Sequence, residues 1–300
     1  MGSAFELLVV HDDQNIANEL LSMGIAEIKR IEDLLSEFKP ESVTSAINSK
    51  AWKEPLEIDA ECFNLIERCI AISKLSKGHF DISVKPLKNL YSFKNTRFEM
   101  PDSLIIRRTI QNVGYQNIIT DKRYNMVKLK NQETKISFSA VGKGYASDKV
   151  RELWLQAGVK SGFVNASGDL NAFGSKADGT PWKIGIADPD KKSGILIYIP
   201  LHNASVATSG DYEQFFMCNK IRYSHNINPL TGMPVTGIKS VTVFSPGAEL
   251  SDALATAVYV MGVRKGLDFI QQLPQTHCVI IDDHNKISFS NNMQYEEAVI

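Results

Sequence analysis

Between Gln14 and Phe38 the apolar side chains Ile16, Leu20, Leu21, Ile25, Ile28, Ile31, Leu34 and Leu35 recur at helical spacing. The stretch Glu57 to Lys77 repeats the pattern with Leu65, Ile66, Cys69, Ile70 and Ile72, and stops near Gly78. Ahead of both, Phe5 to Val10 reads as a strand. Phe80 to Leu90 is mixed around Pro86, and Ile105 to Gln116 predicts a short helix closing at Gly114-Tyr115. The texture then changes. Ile118–Thr120, Met126–Leu129 and Lys135–Phe138 predict short strands with turns between them. A helix is expected from Tyr145 to Ala157, with Val150, Leu153 and Trp154 facing inward. Strands are expected within residues 163–165, 170–173, 182–186, 194–201, 205–207, 215–217, 221–223 and 241–244. A helix pair, Leu250 to Met261 and Lys265 to Gln272, precedes a last strand at Cys278–Ile281. Strands joined by short turns rather than by helices predict an α+β fold with largely antiparallel sheets and flanking helices. The expected organisation is one domain of two intimately packed lobes, helix-rich to about residue 116 and strand-rich over 117–300.

Composition narrows the function classes. A formal net charge of −1 gives no electrostatic attraction to nucleic acid or to anionic membranes. No uninterrupted apolar run is long enough for a transmembrane helix. The N-terminal MGSAFELLVVHDD lacks a basic segment followed by an apolar one, so no secretory signal is expected, and the start reads as cytoplasmic or trimmed. Cys62, Cys69, Cys218 and Cys278 show no zinc spacing and are expected as free thiols, buried or partly so.

Candidate chemistry concentrates in five stretches. In Ser251-Asp252-Ala253-Leu254-Ala255-Thr256, Asp252 and Thr256 are four apart, so a helix stacks their oxygens one turn apart on one face. Such a pair forms half of a hard-cation site, and the same residues equally suit a helix cap. Ala140 to Tyr145 links a strand to a helix through Gly142 and Gly144, which suits an anion at the helix start or an ordinary turn. Asn165 to Asp169 is a polar hairpin between apolar strands. Thr208-Ser209-Gly210-Asp211 suits a phosphate, a ribose or a polar turn. His225, at a strand end ahead of a Pro-x-x-Gly turn, suits a general base or a structural role.

Taken in order, these stretches resemble the ApbE-type flavin transferase family (FAD:protein FMN transferases). The resemblance rests on Met1-Gly2-Ser3, Phe80 to Leu87, Val141-Gly142-Lys143-Gly144-Tyr145-Ala146 and Val164 to Asp169. It continues through Ala207 to Tyr212, Tyr223 to Val235, Ser240 to Val243 and Asp252 to Ala257, so it spans essentially the whole chain. It implies an enzyme that binds FAD with Mg²⁺, cleaves the pyrophosphate and transfers FMN to a threonine hydroxyl of an acceptor flavoprotein subunit. That threonine would lie in a short glycine-containing motif, and AMP would be released. A pyrophosphate needs a divalent cation to neutralise its charge.

By matching positions, the metal ligands would be Asp252, Thr256 and the Ala140 carbonyl, with His225 as the base on the acceptor hydroxyl. Flavin or adenine contacts would come from Met1, Phe38, His79, Phe80, Asp81, Ser137, Lys143 and Ile227. Three positions depart from the family pattern: Ser137 stands where Asp is usual, Lys85 for a common Gly, and Ser167 for the first Gly of Gly-Gly-Asp. Many members carry a secretory or lipoprotein signal, which is not seen here. The same residues would also serve a Mg²⁺-dependent FAD pyrophosphatase, with water as nucleophile, or a non-catalytic FAD-binding protein.

Overall fold

The computed structural model describes residues 3–93, 100–191, 194–201, 203–210, 214–218 and 221–297. A seven-stranded sheet runs in the order Phe5–Val9, Gly162–Ala166, Asp169–Phe173, Ser205–Gly210, Ile238–Ser245, His277–Asp282, Ile287–Phe289, and every ladder is antiparallel. Its first strand comes from the start of the chain, with Phe5 opposite Ala166 and Val9 opposite Gly162. The helix-rich beginning is thereby tied directly into the strand-rich remainder.

Burial on both faces explains the apolar character of the middle strand. Ile238–Ser245 is buried along its whole length. Val241 and Val243 pack with Leu254, Ala257 and Val258 of the helix Ala248–Met261. Phe244 faces the other way, into a cluster with Trp182, Ile197 and Ile199 of a smaller sheet. Alternate side chains thus enter different layers, the two-fold period of a strand sandwiched on both sides. The helix Ala248–Met261 is apolar nearly all round because it is itself buried. Between Ser251 and Val260 only Thr256 is partly open.

The long amphipathic helix occupies Gln14–Leu35, started by the Asp13 carboxylate, which accepts from the amides of Asn15 and Ile16. It lies on the helix Gly142–Gln156, where Trp154 Nε1 donates to the Leu20 carbonyl at 2.8 Å. The second predicted helix starts later than its apolar pattern suggests, at Ala60 after the Asp59 cap, because Leu56–Glu57 pair with Val127 and Met126.

The structure adds one helix to those the pattern predicts and removes one strand. The helix is Val43–Lys50, whose short polar sequence carries little apolar periodicity. Lys135–Phe138 joins no strand ladder. The Asn48 side chain takes both backbone groups of Ile136, at 2.8 and 2.9 Å, and the Ser137 amide donates to Ile82. The four cysteines are free, with Cys62, Cys69 and Cys278 buried. Among the described residues no helix is long and apolar enough to cross a membrane.

Candidate active site

Asp148 and Gly144 fix the helix that carries the predicted metal pair. Asp148 reaches across from the helix Gly142–Gln156 and accepts from the amides of Ala248 and Glu249, at 2.9 and 2.8 Å. These are the first amides of the helix Ala248–Met261, which has no cap of its own. The two helices touch at Gly144, where a Cβ would lie 2.2 Å from the Ala248 carbonyl oxygen. Only glycine permits that approach.

The approach sets the surroundings of Asp252. The Gly144 amide donates to Asp252 Oδ2 at 3.3 Å instead of to the Ala140 carbonyl four residues back. The Asp252 carboxylate is buried, and burial, then the neighbouring Asp169, push its pKa well above the usual carboxylate range against the pull of Lys143. One turn on, the Thr256 hydroxyl stands 3.3 Å from Ser209 Oγ of the adjoining strand Ser205–Gly210. A buried carboxylate with, among the described residues, a single long hydrogen bond, set beside hydroxyls, is short of positive charge. Oxygen donors of this kind fit a hard dication such as Mg²⁺.

Asp169 sits at the end of the hairpin turn Ser167-Gly168, whose φ angles are 55° and 102°. Asn165 Oδ1 holds the turn through the Gly168 amide at 2.9 Å. The left-handed angle at Ser167 explains why a glycine suits this position, and the serine costs roughly 1–2 kcal/mol of backbone strain. Asp169 is buried, accepts from the Thr208 amide at 3.3 Å, and is paired with Lys143 Nζ at 2.5 Å.

His225 follows the strand Ile221–Ser224, the second arm of a small hairpin with Phe215–Cys218. Its backbone amide donates to the Gln214 carbonyl at 3.1 Å, and Nδ1 lies the same distance from that oxygen. A carbonyl only accepts, so Nδ1 carries the proton and Nε2 is left as the basic nitrogen. Burial first, then the charge of Lys88, lowers His225 to about 4, so the ring is neutral near pH 7.

Ala140, Lys143, Ser209, His225, Asp252 and Thr256 all line one cleft of about 460 Å³. Phe38, 86% exposed, stands at its side and also borders a second hollow of about 380 Å³ that contains Ser137. Its open ring face is available to a planar ligand. A roomier hollow of about 600 Å³ lies between Arg30, Glu61, Arg68 and Glu249, whose charges are spent on one another.

Of the residues singled out from sequence, Phe38, Ser137, Ala140, Lys143, His225, Asp252 and Thr256 therefore meet in two adjoining hollows. Four do not reach them. Phe80 is sealed in the main core and offers no ring face. Asp81 is buried, accepting from the Ser83 and Tyr115 amides at 2.8 and 2.6 Å, and so fixes a turn. His79 bonds the Ser76 carbonyl through Nδ1 at 2.7 Å. Ile227 is buried with Val84, Leu87 and Tyr91. Met1 lies outside the described residues, as do Asp211 and Tyr212 of the Thr208 stretch. The cleft also holds Lys88 and Ser139, which sequence patterns did not flag, and sequence gave no role to Asp169. Asp169 had a visible sign, a carboxylate in a polar turn between apolar strands; Lys88 had none.

The ApbE family model matches residues 1–280. The chain belongs to the ApbE family. A Klebsiella pneumoniae FAD:protein FMN transferase is 28% identical over 293 residues, covering 97% of this chain and 90% of its own length. The Treponema pallidum FAD:protein FMN transferase is 26% identical over 280 residues, with 88% and 77% covered. Among solved structures, the Thermotoga maritima ApbE protein superposes with a TM-score of 0.88 at 31% identity, covering 97% of this chain and 94% of that one. Pseudomonas stutzeri flavinyl transferase ApbE gives 0.84 at 26% identity, with 96% and 91% covered. The mixed fold with antiparallel sheets is thus that of ApbE proteins.

Proposed function

We propose that this chain is an FAD:protein FMN transferase, moving FMN from FAD to a threonine hydroxyl of an acceptor protein with release of AMP. The observation that carries the reading is the convergence of Asp252, Thr256 and His225 on one cleft. The names of the relatives support the flavin chemistry.

Asp252, Thr256 and the Ala140 carbonyl would hold Mg²⁺, which when bound neutralises charge on the diphosphate. Phe38 and Ser137 would line the space for one ring system of FAD, and Lys143 would stay paired with Asp169 at the border of the two hollows. The acceptor threonine, in its short glycine-containing motif, would enter beside His225. Its oxygen forms a bond to the FMN phosphorus as the bond from that phosphorus to the bridging oxygen breaks. The hydroxyl proton passes to His225 Nε2, and AMP departs with the bridging oxygen. The anionic diphosphate would draw the His225 pKa back upward from its low value, making the ring a better base once substrate is bound.

Incubation with FAD, Mg²⁺ and an acceptor carrying the threonine motif should give a flavin-fluorescent acceptor band that survives denaturing electrophoresis. Bound FAD with no such band, across several acceptors, would sink the transferase reading.

A further inference from the structure

Two lysines, Lys88 and Lys143, line the cleft and a third, Lys85, pairs with the cleft residue Glu37; they differ in how their charge is met. Lys85 Nζ is paired with Glu37 at 3.0 Å, and Lys143 with Asp169 at 2.5 Å. Lys88, the last residue of the short helix Lys85–Lys88, forms no ion pair among the described residues. Its hydrogen bond goes to a neutral partner, the Ser139 hydroxyl, at 3.0 Å. An ammonium has three donors, so two remain to be used.

The placement of this charge is specific. Lys88 lines the same cleft as His225, Asp252 and Thr256, half-buried and outside the set that sequence patterns single out. Burial pulls it below the ordinary lysine range, while Glu37 and Asp252 hold it up. Its charge is also felt by His225. A half-buried cation whose one hydrogen bond among the described residues goes to a hydroxyl is incompletely compensated until an anion arrives. Ser139 fixes the ammonium in advance, so binding would not have to order it.

We propose that Lys88 is a substrate-contacting residue whose ammonium donates to phosphate oxygens of the dinucleotide's diphosphate. This rests on the flavin-transfer reading above. Lys88 would bring protein charge to the diphosphate in addition to what Asp252 and Thr256 hold there. It would bind FAD and steady the charge that gathers on departing AMP.

The test compares wild type, Lys88→Met and Lys88→Arg, each checked for an unchanged thermal midpoint. FAD affinity is measured by quenching of flavin fluorescence over a range of salt concentrations. Lys88→Met should weaken FAD binding roughly 10- to 100-fold, the worth of a charge-assisted hydrogen bond. It should also flatten the salt dependence of binding, which loss of packing alone would leave intact. Lys88→Arg should recover most of both. Wild-type affinity in Lys88→Met, or weaker binding with an unaltered salt dependence, overturns the proposal and leaves the transferase reading standing. A wild-type protein that binds no FAD overturns both.

Discussion

The Asp148 carboxylate caps a helix other than its own, accepting the Glu249 amide at 2.8 Å beside that of Ala248 at 2.9 Å. It also accepts from Asn171 Nδ2. One half-buried side chain therefore joins the helix Gly142–Gln156, the central sheet and the start of the helix bearing Asp252 and Thr256. Asp148→Ala leaves these donors without a partner. It should cost about 2 kcal/mol, read from urea unfolding. Flavin transfer should fall as well, because the start of the helix bearing Asp252 and Thr256 is no longer anchored.

Gly144→Ala should do similar damage by a different route. The new methyl would meet backbone atoms, the Ala248 oxygen at 2.2 Å and its carbonyl carbon at 2.5 Å, and backbone cannot step aside cheaply. Overpacking of this kind typically costs about 1–3 kcal/mol. It should push the two helices apart and displace the Gly144 amide from Asp252. The checks are unfolding by urea and Mg²⁺-induced stabilisation, which should weaken together.

Much of this fold could be read from the chain, and the reason is local. Gln14–Leu35 and Ala248–Met261 declare themselves by apolar spacing and length. The pair Asp252 and Thr256 is legible because four residues of helix fix their geometry. Lys135–Phe138 looked like a strand because its sequence alternates, but a distant side chain, Asn48, claims the backbone of Ile136. The same limit hid the roles of Asp148 and Lys88, whose partners lie far along the chain. Phe80, Asp81 and Ile227 sit within family-like motifs, and the contacts they make within the chain are packing and turn support.

The Lys143–Asp169 pair should answer to pH once broken. Burial raises the Asp169 pKa, and Lys143 opposes that rise. In Lys143→Met the carboxyl should become protonated in the folded state, with a folded pKa far above its unfolded value. Its contribution is then fully present below the unfolded pKa and lost as pH climbs through the folded one. The variant should therefore lose stability relative to wild type as pH rises from 5 to 8, by about 3 kcal/mol at the upper end. Adding Asp169→Asn should remove most of that loss without restoring transfer.

His225 should show the opposite sign. Its folded pKa lies near 4, below the ordinary value of 6.5, through burial and then Lys88. Its contribution to stability is present above pH 6.5 and is lost as pH falls through about 4. An NMR titration should find one imidazole that stays neutral well below pH 6, identified by its absence in His225→Gln. Lys88→Met should raise that midpoint. A His225 midpoint near 6.5 in the wild type would contradict the enclosed setting described for this ring.

The most direct measurement is intact-mass analysis of an acceptor protein after incubation with FAD and Mg²⁺, with AMP quantified in the same reaction. The wild-type chain should add one FMN phosphoryl group to the acceptor threonine for each AMP released. Asp252→Ala and His225→Ala should release little AMP and leave the acceptor unmodified while remaining folded. AMP formed without any gain in acceptor mass would mean that water, not a threonine, is the nucleophile. Full transfer by Asp252→Ala would contradict the metal-holding role on which the account turns.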